Sequence, residues 1–127
     1  MQENTLLEYP NNDKNLSTIM QNYYGTENYY TNDYLSFNYT DGVKAFCENA
    51  MAYWILDIVN SVVRTEKKMS EDLITIKLMV RKDNTATISF KDYEGTIYKQ
   101  EIPFTDCPVG EWRFFYENGV FFWNGEY

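Results

Sequence analysis

The hydrophobic period of this chain changes once, from about 3.6 residues to 2, and the change falls near residue 70. On the N-terminal side, Val43, Phe46, Cys47, Ala50, Trp54, Ile58 and Val62 recur on one helical face. Met51, Ile55, Leu56 and Val59 widen that stripe until its second half is apolar nearly all round. Such a helix is central and covered on more than one side. Thr40 and Asp41 are its candidate caps, because either side chain accepts a hydrogen bond from a first-turn amide. Asp41 also suits the positive end of the helix dipole. Glu48-Asn49 is a candidate break, and the cations from Arg64 to Lys68 suit the helix end.

Past the change, Ile74, Ile76, Leu78 and Val80 alternate with Thr75, Lys77 and Met79, the pattern of a half-buried strand. Lys82-Asp83-Asn84 and Asp92–Gly95 turn the chain between Ala86–Phe90 and Thr96–Ile102, and a loop over 103–110 follows. Trp112, Phe114 and Tyr116 then alternate up to Asn118-Gly119, the strongest hairpin signal in the chain. The expected class is α+β: a central helix with a break, packed on an antiparallel meander of about five strands from the C-terminal half. No repeat or linker divides the 127 residues, so one domain is expected, with residues 1–12 as a loose arm.

Between arm and central helix, Asp13 is a plausible cap for one or two helical turns carrying Leu16, Ile19, Met20 and Tyr23. The segment Asn22–Tyr39 follows. It holds six of the twelve tyrosines and no Lys or Arg. With no clean period, it reads as a packed loop with a short strand around Leu35–Tyr39. Tyrosine fills a core edge or builds a contact surface equally well, so packing against the helix and presentation to a partner both stand.

The net charge is −8: residues 1–63 carry eight acids and two bases, residues 64–127 eleven acids and nine bases. That balance argues against a phosphate backbone as the main ligand and suits a basic partner. The chain has no histidine, which removes the commonest general base and zinc ligand. No phosphate-loop, dinucleotide or zinc-protease motif occurs. Two distant cysteines make neither a disulfide framework nor a metal knuckle, so no cofactor or metal is expected and a reducing cytoplasm is the default. The N-terminus reads as no leader, and Ala50–Val63, interrupted by Asp57 and Asn60, is too short to span a bilayer. Asp41, Glu48, Asp57 and Asp106 are scattered candidates for carboxylate catalysis, and the expectation is a non-enzyme. Asp57, alone in an apolar helix, reads as a helix-edge residue or as one satisfied by an internal bond, for example to a tyrosine hydroxyl, before it reads as a ligand-facing or catalytic acid. Cys47 and the three tryptophans are expected in the core, Cys107 in an exposed loop.

The order Tyr24-Gly25-Thr26-Glu27-Asn28-Tyr29-Tyr30, Thr40-Asp41-Gly42-Val43-Lys44 and Ala52-Tyr53-Trp54-Ile55-Leu56-Asp57 resembles a small uncharacterised family of bacterial genomes and their phages. Ile102-Pro103-Phe104-Thr105-Asp106-Cys107-Pro108, Glu117-Asn118-Gly119-Val120 and the terminal Glu126-Tyr127 extend the resemblance over nearly all of the chain from residue 16. Against that pattern, Met51 stands where glycine is usual and Cys107 where an aromatic is usual. Trp123-Asn124-Gly125 replaces a Leu-Pro-Ser-like run. The resemblance implies a phage or mobile-element setting and brings no activity. It also implies that Gly25, Thr26, Glu27, Asn28, Tyr29, Thr40, Asp41 and Gly42 form one local structure.

Together these readings predict a small non-enzymatic binding protein. It would inhibit a host defence macromolecule, as an anti-CRISPR-like or other immune-system inhibitor, through an acidic Tyr/Asn-rich surface. The candidate partner-binding residues are Glu27, Asn28, Tyr29, Tyr30, Asp33 and Tyr34. The expected partner is a host protein such as a nucleic-acid-binding immune effector, without direct nucleic-acid or membrane contact. The alternative is a protein that binds or sequesters a small ligand such as a signalling nucleotide, with an anion seat at Thr40, Asp41 and Gly42.

Overall fold

A computed structural model describes residues 11–127. Of the expected arm, 1–10 lie outside the described residues. Asn12 is tied down: its side-chain oxygen accepts from the Glu111 amide at 2.8 Å and its side-chain nitrogen donates to the Glu111 carbonyl at 3.2 Å. Asp13 caps helix α1 (Lys14–Met20), accepting from the Leu16 amide at 2.9 Å. Leu16 and Met20 are buried by that helix.

The central helix is two helices, α2 (Asp41–Asn49) and α3 (Trp54–Thr65). The break is a left-handed turn. Met51 has φ of 54°, and the Ala52 amide donates back to the Cys47 carbonyl at 2.9 Å, the closing bond of a Schellman motif. α3 is apolar enough to bury Ile55, Leu56, Val59 and Val62, while α2 buries Val43, Phe46 and Cys47. Both join one core with the inward residues of the sheet. Phe46 is central there, with its ring 5.0 Å from Phe114 and 5.7 Å from Trp112.

The sheet has seven strands, not five. β3 (Ile74–Val80), β4 (Ala86–Asp92), β5 (Gly95–Ile102), β6 (Gly110–Glu117) and β7 (Val120–Trp123) come from the C-terminal half as expected. Two short strands from the Tyr-rich half, β1 (Tyr29–Tyr30) and β2 (Asn38–Thr40), extend it. The order is β1-β2-β7-β6-β3-β4-β5, and β2 runs parallel to β7, which makes the sheet mixed. β2 covers the edge that β7 would otherwise expose, beginning with the Asn38 amide on the Gly119 carbonyl at 2.9 Å.

The simple meander also fails after β5. β6 crosses back and pairs with β3, so the order β6-β3-β4-β5 is a Greek key. Alternation along each strand reports which residues face inward and carries no information on which strand lies beside which. The 103–109 connection makes the return, and it carries Cys107 into the core, 2% exposed rather than solvent-facing. Burial pushes the thiols of Cys107 and Cys47 up to about 12, so both behave as small apolar residues. Trp112 is a core residue, whereas Trp54 and Trp123 are half-buried against the core. Asn118 (φ 51°) and Gly119 (φ 78°) form the predicted tight hairpin between β6 and β7.

β3 alternates buried and half-buried residues throughout, and β6 alternates buried residues with half-buried or exposed ones. Their other face carries no helix among the described residues. No helix of these residues is long and apolar enough to cross a membrane.

Candidate functional site

The start of α2 organises the Tyr-rich segment, and Asp41 is the hub. One oxygen accepts from the Glu27 amide at 2.9 Å and the Asn28 amide at 3.3 Å. The other accepts from the Tyr30 hydroxyl at 2.8 Å and from the Asn28 side chain at 3.4 Å. Thr26 completes the link: its hydroxyl accepts from the Asp41 amide at 2.9 Å and donates to the Asn28 carbonyl at 2.8 Å. These donors, led by the Glu27 amide and then the Tyr30 hydroxyl, hold the Asp41 carboxyl down at about 2. The Thr26–Tyr30 stretch and the Thr40-Asp41-Gly42 stretch are thus one local structure.

The helix start is closed from a third direction. Thr40 is the N-cap, and its hydroxyl donates to Glu126 Oε1 at 2.6 Å. Glu126 Oε2 accepts from the Gly42 amide at 2.9 Å, and Oε1 also accepts from the Trp123 amide at 2.8 Å. Gly42 is required at that spot: a Cβ there would lie 2.6 Å from Glu126 Oε1 and 2.8 Å from Trp123 Cβ. The anion seat expected at Thr40, Asp41 and Gly42 is therefore filled by the chain's own carboxylate. Sequence reasoning missed Glu126 in this role, since its partners lie 84 and 86 residues away. The only available signal was its place in the terminal Glu-Tyr of the family-like pattern.

Downstream, the segment is fixed by a second residue read only as an interruption of the apolar run. Asn60, 7% exposed on α3, accepts from the Ser36 amide at 2.8 Å and donates to the Tyr34 carbonyl at 3.2 Å. Phe37 enters the core edge-on to Tyr116 and Phe121. The segment thus packs through Phe37 while presenting Tyr24, Tyr29 and Tyr34 at 83%, 61% and 62% exposure.

Three carboxylates on this side each accept a tyrosine hydroxyl. Tyr30 donates to Asp41, Tyr53 to Glu48 at 3.3 Å, and Tyr34 to Asp57 at 3.2 Å. Hydrogen bonding to these anions holds the Tyr30 and Tyr34 hydroxyls above their ordinary value, and burial does the same for Tyr53, ahead of the Glu48 charge. Asp57 is exposed and satisfied by a tyrosine, as the edge reading has it. Lys44 lies here as well, paired with Glu48 at 3.0 Å and 5.4 Å from the centre of the Tyr30 ring. That pairing lowers the Glu48 carboxyl. A cleft of about 490 Å³ opens between Asn22–Glu27 and α2, with Glu27, Asp41, Glu48 and Lys44 among its walls.

The six candidate partner-binding residues divide in two. Asn28 and Tyr30 are tied to Asp41 and hold the loop in shape. Glu27, Tyr29, Asp33 and Tyr34 are exposed, with the Tyr34 hydroxyl held by Asp57. Asp106 lies on the 103–109 connection and lines a cleft with Met51 and Trp54 at the turn between α2 and α3. Among the described residues, no three Cys, Asp or Glu side chains converge as a metal site requires.

A family model described as a family of unknown function (DUF6876) matches residues 14–127. No curated protein and no solved structure matches the chain.

Proposed function

The chain belongs to that family of unknown function, and from this premise we propose that it is a small non-enzymatic binding protein acting through its acidic, tyrosine-rich face. The observation that carries the reading is the set of three tyrosine–carboxylate pairs around Asp41, Glu48 and Asp57, flanked by exposed Glu27, Tyr29 and Asp33. The rings offer rigid contact area with polar tips, and the carboxylates favour a cationic surface on the partner. In the phage or mobile-element setting that the sequence pattern suggests, a host defence protein with a basic nucleic-acid groove fits that chemistry. The face would occupy the groove and exclude its substrate.

A small-ligand site in the 490 Å³ cleft is the second reading, favoured by exposed Tyr24 beside Lys44. Three carboxylates in the walls oppose a phosphorylated ligand there, so it ranks below the first.

Native mass spectrometry of the purified protein, incubated with lysate of its natural host, separates the two. The expected result is a protein-sized mass gain that weakens steeply with salt. Glu27→Lys/Asp33→Lys removes it without altering the melting temperature by more than a few degrees. A gain of small-molecule mass would instead support the second reading, and a protein complex indifferent to salt and to both substitutions would sink the first.

A further inference from the structure

The face of the sheet turned away from the helices has the opposite charge. From β6 to β5, the registered partners in one row are Arg113, Lys77, Ser89 and Lys99. The neighbouring row is Phe115, Thr75, Lys91 and Thr96. Five of the eleven cations, Lys77, Arg81, Lys91, Lys99 and Arg113, therefore share one face of a chain whose net charge is −8. Two of them are compensated: Arg81 pairs with Glu101 at 3.8 Å, and Arg113 pairs with Glu111. Glu117 lies at the far end of β6. Lys77, Lys91 and Lys99 have no carboxylate partner among the described residues.

Lys77 stands directly across from Arg113, a like-charge pair that Glu111 relieves on the Arg113 side only. The row spans three strand spacings, roughly 14 Å. Two adjoining clefts of about 260 and 110 Å³ lie along it, lined by these cations, by threonines and by Ser89, with no carboxylate in either lining. At the β7 side the same face carries three rings in mutual contact. Phe115 lies 5.7 Å from Phe122 and 4.8 Å from Tyr127, and Tyr127 is stacked 7° from parallel to Phe122 and 74% exposed.

We propose that this open sheet face binds single-stranded nucleic acid, with phosphates on the Arg113–Lys77–Lys99 row and Lys91, and bases stacking from Tyr127 inward. An acidic peptide would satisfy the cations and leave the adjoining ring cluster without a partner. A single strand uses both, because every base has a π-face and every linkage a charge. The whole-chain charge conceals this face, where the five cations outnumber the outward carboxylates Glu101, Glu111 and Glu117 of the same strands. The inference is independent of the acidic-face reading and uses different residues.

The test is fluorescence anisotropy with a labelled oligothymidine of about twelve nucleotides. Saturable binding is expected at about 50 mM salt, with a log–log salt slope between about −2 and −3.5 for three to five phosphate contacts. Lys77→Gln/Lys91→Gln/Lys99→Gln should weaken binding roughly tenfold or more and flatten the slope by about 2. Its melting temperature should stay the same or rise, because a like-charge repulsion is removed. Tyr127→Ala should cost affinity roughly fivefold or more without changing the slope. No saturable binding, or an unaffected triple variant, overturns the proposal. A polyglutamate of equal charge binding as tightly as the oligonucleotide overturns it in favour of an acidic peptide.

Discussion

Asp41 shows how one side chain can do several jobs by position alone. It sits in the first turn of α2, where its charge meets the helix dipole, and it gathers two amides, an amide side chain and a phenol from residues 27–30. Its lowered pKa, about 2 against an ordinary 3.8, fixes the sign of the pH effect. Stabilisation from Asp41 is fully present above the ordinary value and is lost as pH falls through the folded one. Asp41→Asn should cost about 1–2 kcal/mol near neutrality. The gap to the unmodified protein should close between pH 4 and 2 in urea titrations. A gap that persists at pH 2 would mean the carboxylate charge is not what holds the segment. Asn60 works differently. It is neutral and buried, and it fixes the Tyr34–Ser36 backbone through both ends of its amide.

At the scale of an element, the central helix was legible as apolar spacing, and its break was legible only approximately. Sequence placed the break at Glu48-Asn49. The structure carries α2 through Asn49 and turns at Met51. The reason is conformational. A Schellman turn needs a residue at positive φ, glycine is the usual occupant, and methionine by itself gives no such signal; the hint lay in the glycine usual at this position of the resembled pattern. Because Met51 is 68% exposed, replacing it sacrifices little burial. Met51→Gly should therefore stabilise the protein by about 0.5–1 kcal/mol, read as a shift of the denaturant midpoint at constant slope. A destabilisation would show that the methionine side chain contributes more by packing than its backbone strain costs. Cys107 was misread for a related reason. Proline-flanked loop sequence signals a connection, and whether that connection crosses the core depends on strand order.

Across the whole molecule, the C-terminal turn Asn124–Glu126 locks the two halves together. Glu126 ties the β7 end to the first turn of α2, and Gly42 leaves room for it. Glu126→Ala should cost about 2 kcal/mol, because it strands the Thr40 hydroxyl and the Gly42 and Trp123 amides together. Gly42→Ala should cost a similar amount by displacing the same carboxylate. The double variant should cost clearly less than the sum of the two, since both remove one contact. Strict additivity in that cycle would mean Gly42 matters for some other reason. The same architecture gathers tyrosine–carboxylate pairs on the helix side and, on the open sheet face, three lysines with no carboxylate partner among the described residues.

What the sequence determined by itself was everything carried by local period and local chemistry. The helical segments, the five C-terminal strands, the Asp13 and Thr40 caps, the Asn118-Gly119 hairpin and the α+β class all follow from neighbours within a few residues. Three things required the tertiary structure: the Greek-key return of β6, the parallel addition of β2 to β7, and the closing of the α2 start by Glu126. Each joins residues far apart in the chain, and side-chain alternation says which face a residue takes without saying what lies across from it. The cationic row belongs with them. Lys77, Lys91, Lys99 and Arg113 are scattered in sequence among acids, and only the register of four strands makes them neighbours.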